Sequence, residues 1–199
     1  MTKLLLVRHG QSEWNALGKW QGKANPPLTD LGKKQALLAS KRLPKFSTLA
    51  SSDLVRARET AEIFAKAHNK ELYEIILEPR VQERDAGEFS GLTRDEINKK
   101  FPGYLDQNKW PSGWEPDDVL LKRLREGLGH IITLSNKSDP IVVLTHGGCI
   151  YALEKLLGED YRRISNLGGR WFELIDNEFY LGERVQLLDP DEETYPDQI

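Results

Sequence analysis

Two short apolar runs constrain this chain more than anything else in it. LLLV at residues 4–7 and IVVL at residues 141–144 are each followed, one residue on, by a histidine and a glycine, in LLLVRHGQSEWN and in PIVVLTHGG. A run apolar at every position, not at alternate ones, suits a strand covered on both faces, as in a parallel sheet packed between helices. The residues after such a strand emerge at the carboxyl edge of the sheet, where open α/β sheets bind their ligands. If the two strands are parallel and near neighbours, His9 and His146 reach that edge together.

The rest of the chain alternates strand and helix signals. A long loop rich in Gly, Gln and Asn comes after the first strand, and loops of that length in compact domains tend to bind something. A helix capped by Thr29 or Asp30 comes next, although Gly32 in its first turn is a poor helix former. Then come a short strand in STLASS, an amphipathic helix in DLVRARETAEIFAKAHN with Asp53 near its start, and a strand in LYEIILEP. Leu54, Ala57, Ala61, Phe64 and Ala65 form the apolar side of that helix. Thr93 and Glu96 resemble a capping box, a long helix spans about residues 117–135, and CIYALEKLLG reads as the helix after the second histidine. RWFELIDNEFYLGERVQLL reads as two closing strands that turn at Asp176 and Asn177. This order predicts a three-layer α/β/α sandwich with a mostly parallel, mixed sheet whose antiparallel edge is the last hairpin.

At 199 residues one domain suffices, and a chain of this length buries about 70% of its unfolded surface. The expected domain covers residues 1–188, with residues 189–199, DPDEETYPDQI, as an acidic, solvated or loosely docked tail. Twenty-eight Lys and Arg against 31 Asp and Glu give a net charge of −3, which argues against a nucleic-acid surface, so any anion site must be local. The lone Cys149 excludes an intramolecular disulfide framework and suits a reduced compartment. The four apolar residues before Arg8 are too few for a signal-peptide core or a membrane span, and a cytoplasmic location is expected.

The chain has four histidines. His68 falls in the last turn of a helix, where a cation favours the dipole, and His130 on a helix face, so both read as structural. His9 and His146, at equivalent strand ends, do not. The glycine after each lets backbone approach a ligand closely, and a neutral imidazole offers a nucleophile or a donor near neutral pH. No HExxH or paired-cysteine spacing suggests a metal, and no P-loop or GxSxG elbow is present. Neither a metal nor a cofactor is expected.

LLLVRHGQSEWN resembles the signature of the histidine phosphatase superfamily, the phosphoglycerate mutase-like enzymes, and later segments match that family in order over about residues 4–157. SSDLVRARETA is similar to its second motif, VQERDAGEFSGL to its third and VVLTHGG to its last. The resemblance implies His9 as the nucleophile, Arg8 and Arg56 as phosphoryl-binding cations, Glu83 as the proton-transferring acid and His146 as a further phosphoryl ligand. It also implies supporting roles for Asn15, Ser12 and Gln21, with Gly147 beside the substrate. Charge spreads over three equatorial oxygens during phosphoryl transfer, so catalysis needs positioned cations and donors, which arginine forks supply.

Within the family, GEFSGL is similar to the phosphatase branch, and PSGWEPDDVLLKRL loosely resembles that branch's loop before its long helix, which includes Glu115. Mutases usually follow the third-motif glutamate with RHYG and carry a basic pair for the substrate carboxylate. Here Asp85 and Ala86 stand in that stretch, and the middle loop offers only Lys109. The expected activity is hydrolysis of small phosphomonoesters through a phosphohistidine. The alternatives are a phosphoglycerate mutase and a catalytically idle phosphate-binding protein. Trp20, Tyr104, Trp110 and Trp114 could wall a substrate or merely cover a core, and Cys149 reads as a small buried residue. A small-molecule substrate is expected, with a homodimer among the compatible oligomeric states.

Overall fold

The computed structural model of the chain describes residues 1–135, 140–176 and 178–195. In chain order its elements are β1 (Thr2–Arg8), α1 (Glu13–Ala16), α2 (Asp30–Ser40), β2 (Thr48–Ser51), α3 (Val55–Ala67), β3 (Ile76–Leu77), α4 (Arg94–Lys100), α5 (Asp117–Leu134), β4 (Ile141–Thr145), α6 (Gly147–Leu156), β5 (Gly168–Ile175) and β6 (Glu178–Gln186). The sheet runs β3-β2-β4-β1-β5-β6. Its first four strands are parallel, and β5 and β6 add antiparallel pairs at the other side.

The alternation of side chains along β1 and β4 builds the two core layers. Leu4, Leu6, Ile141 and Val143 pack against Leu120, Leu124, Leu128 and Ile131 of α5 and Ile150 and Leu153 of α6. Leu5, Val7, Val142 and Leu144 pack on the opposite face against Ala36 and Ala39 of α2 and Ala57, Ala61 and Phe64 of α3. Each such side chain is fully buried, and full burial of a Leu or Val contributes about 2 kcal/mol. This is why both runs are apolar without interruption, and it makes the domain a three-layer α/β/α sandwich. A third cluster, Trp20, Ala86, Phe89 and Ile97 with Phe101, Tyr104 and Trp114 against it, caps the carboxyl edge.

Several elements differ from expectation. LYEIILEP gives only the two-residue β3, preceded by a 3₁₀ turn at Leu72–Glu74. The carboxylate of Glu74 accepts from the Glu71 backbone N–H and diverts the chain into that turn, leaving Tyr73 exposed. Within the long loop, Ser12 and Asn15 form a capping box that starts α1. Gly32 sits in α2 because a Cβ there would lie 2.0 Å from the Gln11 carbonyl oxygen, so the helix's first turn and the loop after β1 can meet only at glycine.

Residues 189–195 do not stand free in solvent. The Asn166 N–H donates to Thr194 O at 2.9 Å, and Gln35 Nε2 donates to Glu192 O at 2.9 Å. Asp189 pairs with Arg42. Acidic composition did not exclude docking, because this segment is held chiefly through its backbone and a hydroxyl. Residues 196–199 of the expected tail and Asn177 of the expected turn lie outside the described residues; Asp176 adopts a positive φ of 48°.

Candidate active site

The register Leu4↔Ile141 to Arg8↔Thr145 brings the ends of β1 and β4 level, and His9 N–H donates to Thr145 O at 3.1 Å. His9 and His146 therefore emerge side by side, their ring centroids 5.2 Å apart. Both are buried. His9 Nδ1 lies 2.6 Å from the Gly10 carbonyl oxygen, which has no proton to give, so Nδ1 carries the hydrogen and Nε2 keeps its lone pair. Arg56 Nε donates to that Nε2 at 3.1 Å, while its Nη1 and Nη2 donate to Ala24 O and Gly22 O.

Burial, followed by the charges of Arg56 and Arg8, holds the His9 pKa well below the ordinary 6.5, so the ring is neutral. His146 is depressed in the same way, by burial first and Arg56 next. Burial also pulls Arg56 down to about 10, still charged at neutral pH. His146 Nε2 is 2.9 Å from Ser52 Oγ, which accepts from Leu54 N–H. The other ring nitrogen, Nδ1, is buried with no partner among the described residues. Such a group calls for a partner from outside the chain or a catalytic role.

A cleft of about 820 Å³ opens over these residues. Arg8, His9, Gln21, Glu83, Arg84, Trp110, Trp114 and Gly147 are on its walls, as are Asp117, Tyr151, Lys155 and Tyr161. Arg56 and His146 are fully buried and not on the cleft wall, and each touches the His9 ring. Ser12 and Asn15 do not line the cleft. Ser12 Oγ donates to Gln21 Oε1 at 2.7 Å, and Asn15 Oδ1 accepts from Ser12 N–H at 3.1 Å and from Asn166 Nδ2 at 3.2 Å. Their place is in the frame that holds Gln21 and the histidine loop. Of the four aromatics, Trp20, Trp110 and Trp114 face the cleft, whereas Tyr104 packs in the capping cluster.

Glu83 reaches the cleft from the extended segment after β3. Its Oε2 accepts from Gly148 N–H at 3.1 Å and its Oε1 from Arg84 N–H at 2.8 Å. The segment is fixed by Arg123 of α5, whose guanidinium donates to the carbonyls of Arg80, Gln82 and Glu83 at 2.7 to 2.9 Å and to both oxygens of Glu115 at 2.6 and 2.7 Å. Glu115 Oε2 also accepts from Asp85 N–H at 3.1 Å. Arg123 was not singled out from sequence, although it falls between Leu120 and Leu124, and a cation beside the apolar stripe of α5 was the available signal. Thr60, which accepts from Gly10 N–H at 3.1 Å, and Ser52 gave no comparable signal.

Cys149 is buried with its thiol against Gln82 O, and burial pushes its pKa up to about 12, so it is not poised as a nucleophile. His68 Nε2 meets Ser40 O at 2.8 Å and His130 Nδ1 meets Glu78 Oε2 at 2.7 Å, both remote from the cleft. Among the described residues no group of three or more His, Cys, Asp or Glu is placed to hold a metal ion. None of their helices is long and apolar enough to cross a membrane.

Fold and site together define an α/β protein with a neutral histidine and two arginines at the carboxyl edge of its sheet, an arrangement suited to phosphoryl groups. The chain belongs to the histidine phosphatase superfamily, branch 1, whose family model matches residues 4–179. It is 36% identical over 163 residues to a metal-independent phosphoserine phosphatase of Arabidopsis thaliana, covering 77% of this chain and 67% of that protein. It is 39% identical over 162 residues to a probable phosphoglycerate mutase, GpmB, of Photorhabdus laumondii, covering 75% and 73%. Among solved structures, a mutant phosphoserine phosphatase of Entamoeba histolytica in complex with phosphoserine superposes with a TM-score of 0.75 at 28% identity, over 94% of this chain and 98% of that one.

Proposed function

We propose that the chain is a phosphatase that hydrolyses small phosphomonoesters through a phosphohistidine on His9. The observation that carries the reading is the His9 tautomer, Nδ1 bonded to Gly10 O at 2.6 Å with the Nε2 lone pair toward the buried Arg56. When a phosphoryl group enters, its oxygens replace Nε2 as acceptors of Arg56, and Arg8 neutralises them from the other side. Nε2 attacks phosphorus, the N–P bond forms as the ester P–O bond breaks, and Glu83 gives its proton to the departing alkoxide. His146 Nδ1 serves a phosphoryl oxygen. Glu83, now a base, takes a proton from water, whose oxygen attacks phosphorus and releases phosphate from His9.

A phosphatase is favoured over a mutase by how the further cations of the cleft wall are engaged. A mutase must hold a substrate carboxylate, yet Arg84 and Lys155 both bond Asp117, at 2.7 and 2.8 Å, and Arg94 is likewise engaged within the chain. Lys109 is not on the cleft wall. The relatives' names fall on both sides, phosphoserine phosphatase and phosphoglycerate mutase. A cytoplasmic setting and the lack of a nucleic-acid partner are read from the single cysteine and the net charge of −3.

The test is phosphate release from a panel of metabolite phosphates, run beside a coupled assay with 3-phosphoglycerate and trace bisphosphoglycerate. Turnover by the wild type, loss on His9→Ala and acid-labile labelling of His9 are expected. Isomerisation outrunning phosphate release would reassign the chain as a mutase, and no release from any ester between pH 5 and 8 would leave only phosphate binding.

A further inference from the structure

We infer that Thr194, in the segment after β6, is a positioning residue for His9; the inference rests on His9 being the nucleophile. The imidazole is pinned through Nδ1 to the Gly10 carbonyl oxygen, so the direction of Nε2 is set by where the backbone of residues 9–11 lies. Thr29 Oγ1 donates to Gln11 O at 3.3 Å, and three further side chains hold His9 O, Gly10 N–H and Gln11 N–H. Asn166 Nδ2 donates to His9 O at 2.9 Å, Thr60 Oγ1 accepts from Gly10 N–H at 3.1 Å, and Gln35 Oε1 accepts from Gln11 N–H at 3.2 Å.

Two of the three are amides, and an amide rotated by half a turn presents the wrong end. Thr194 bears on both, together with Glu192 O, which accepts from Gln35 Nε2 at 2.9 Å, and Asn15 Oδ1, which accepts from Asn166 Nδ2 at 3.2 Å. The Thr194 hydroxyl donates to Asn166 Oδ1 at 2.9 Å, which leaves Nδ2 toward His9 O, and it accepts from Gln35 Nε2 at 3.2 Å, which leaves Oε1 toward Gln11 N–H. One hydroxyl thus closes a chain from Gln11 through Gln35, Thr194 and Asn166 to His9. Asn166 is fully buried and Gln35 nearly so, so an amide released from this chain has no water to compensate it. The backbone bond from Asn166 N–H to Thr194 O at 2.9 Å holds the segment in place whatever side chain stands at 194.

The experiment compares Thr194→Val, which keeps shape and loses the hydroxyl, with Thr194→Ser, which keeps the hydroxyl. For Thr194→Val a fall in kcat of about five- to tenfold is expected, with KM within about twofold and the melting temperature nearly unchanged, since misaiming a nucleophile costs rate, not binding. Thr194→Ser is expected to restore kcat. Orthovanadate, which is held at a histidine nitrogen in the geometry of the transferring phosphoryl group, is bound in parallel, and Thr194→Val should weaken it by a similar factor. Equal kcat and equal vanadate affinity in both variants overturn the inference, as does a kcat loss that tracks a loss of thermal stability. A wild type that binds vanadate with the expected variant difference but releases no phosphate sinks the phosphatase reading alone. A wild type that does neither sinks both.

Discussion

The carboxylate of Glu83 hangs from the first turn of α6, its Oε2 accepting from Gly148 N–H at 3.1 Å, and a Cβ at position 148 would lie 2.3 Å from its other oxygen. Gly148 is therefore the floor on which the proposed acid rests. Its replacement must push Glu83 aside.

Gly148→Ala is expected to lower kcat by about 100-fold, the usual penalty for displacing a reacting group by an ångström. Phosphorylation of His9 by a substrate with a very good leaving group should suffer much less, because that step does not need a strong acid. Single-turnover labelling with such an ester and with an alkyl phosphate makes the comparison, and equal losses on both would remove Glu83 from the role of acid.

The depressed pKa values of His9 and His146 make folding stability depend on pH. Both rings are held neutral in the folded state by burial and by Arg56, whereas in the unfolded chain they titrate near their ordinary 6.5. Below that value the unfolded state binds protons that the folded state refuses, so stability is full above it and falls as the pH drops. Each ring adds a slope of about 1.4 kcal/mol per pH unit. Urea unfolding between pH 5 and 6.5 should show this slope, and His146→Gln should roughly halve it. An unchanged slope in that variant would assign the acid loss to other groups.

Much of this arrangement was legible in the sequence because it rests on local patterns. The uninterrupted apolar runs at residues 4–7 and 141–144 specify strands covered on both faces, and their common His-Gly endings foreshadow the paired rings. The Thr93 capping box was equally local. What escaped was long-range. Gly32 looked like a weak helix start until its contact with Gln11 explained it. Arg123, 40 residues from Glu83, and Asn166, 157 from His9, act through backbone carbonyls, which leave no trace in residue type. For the segment around Thr194 composition left solvation and loose docking both open, and the backbone bonds that dock it leave no trace in residue type.

Arg123, partly buried, and Glu115, buried, form an ion pair, and breaking it from one side should be worse than replacing it. Arg123→Met leaves the Glu115 carboxylate buried beside Asp85 N–H without its fork, a loss of about 3 kcal/mol, and frees the carbonyls that fix the Glu83 segment. Adding Glu115→Gln should recover much of the stability while kcat stays low, because the carbonyl bonds to Arg80, Gln82 and Glu83 are still gone. Thermal unfolding and steady-state kinetics on the two single variants and the double variant separate these effects. Additive stability losses would show that the pair is not coupled.

Trp110 stacks flat on Trp114, ring centroids 4.1 Å apart and planes 7° from parallel, while the guanidinium of Arg84 sits 5.2 Å from the Trp114 ring. Trp110 remains 40% exposed and presents indole surface to the cleft. It should contribute to substrate binding beyond what its stack on Trp114 contributes to stability. Trp110→Ala is expected to cost about 1 kcal/mol of stability, the worth of its stack on Trp114, and to raise KM by about tenfold for esters with a bulky apolar or ring-bearing alcohol, which is the scale of one lost stacking contact. KM for a compact ester and inhibition by inorganic phosphate, which reaches only the histidine end, should not move. If KM rose equally for compact and bulky esters, Trp110 would be shaping the whole cleft and not contacting the leaving group.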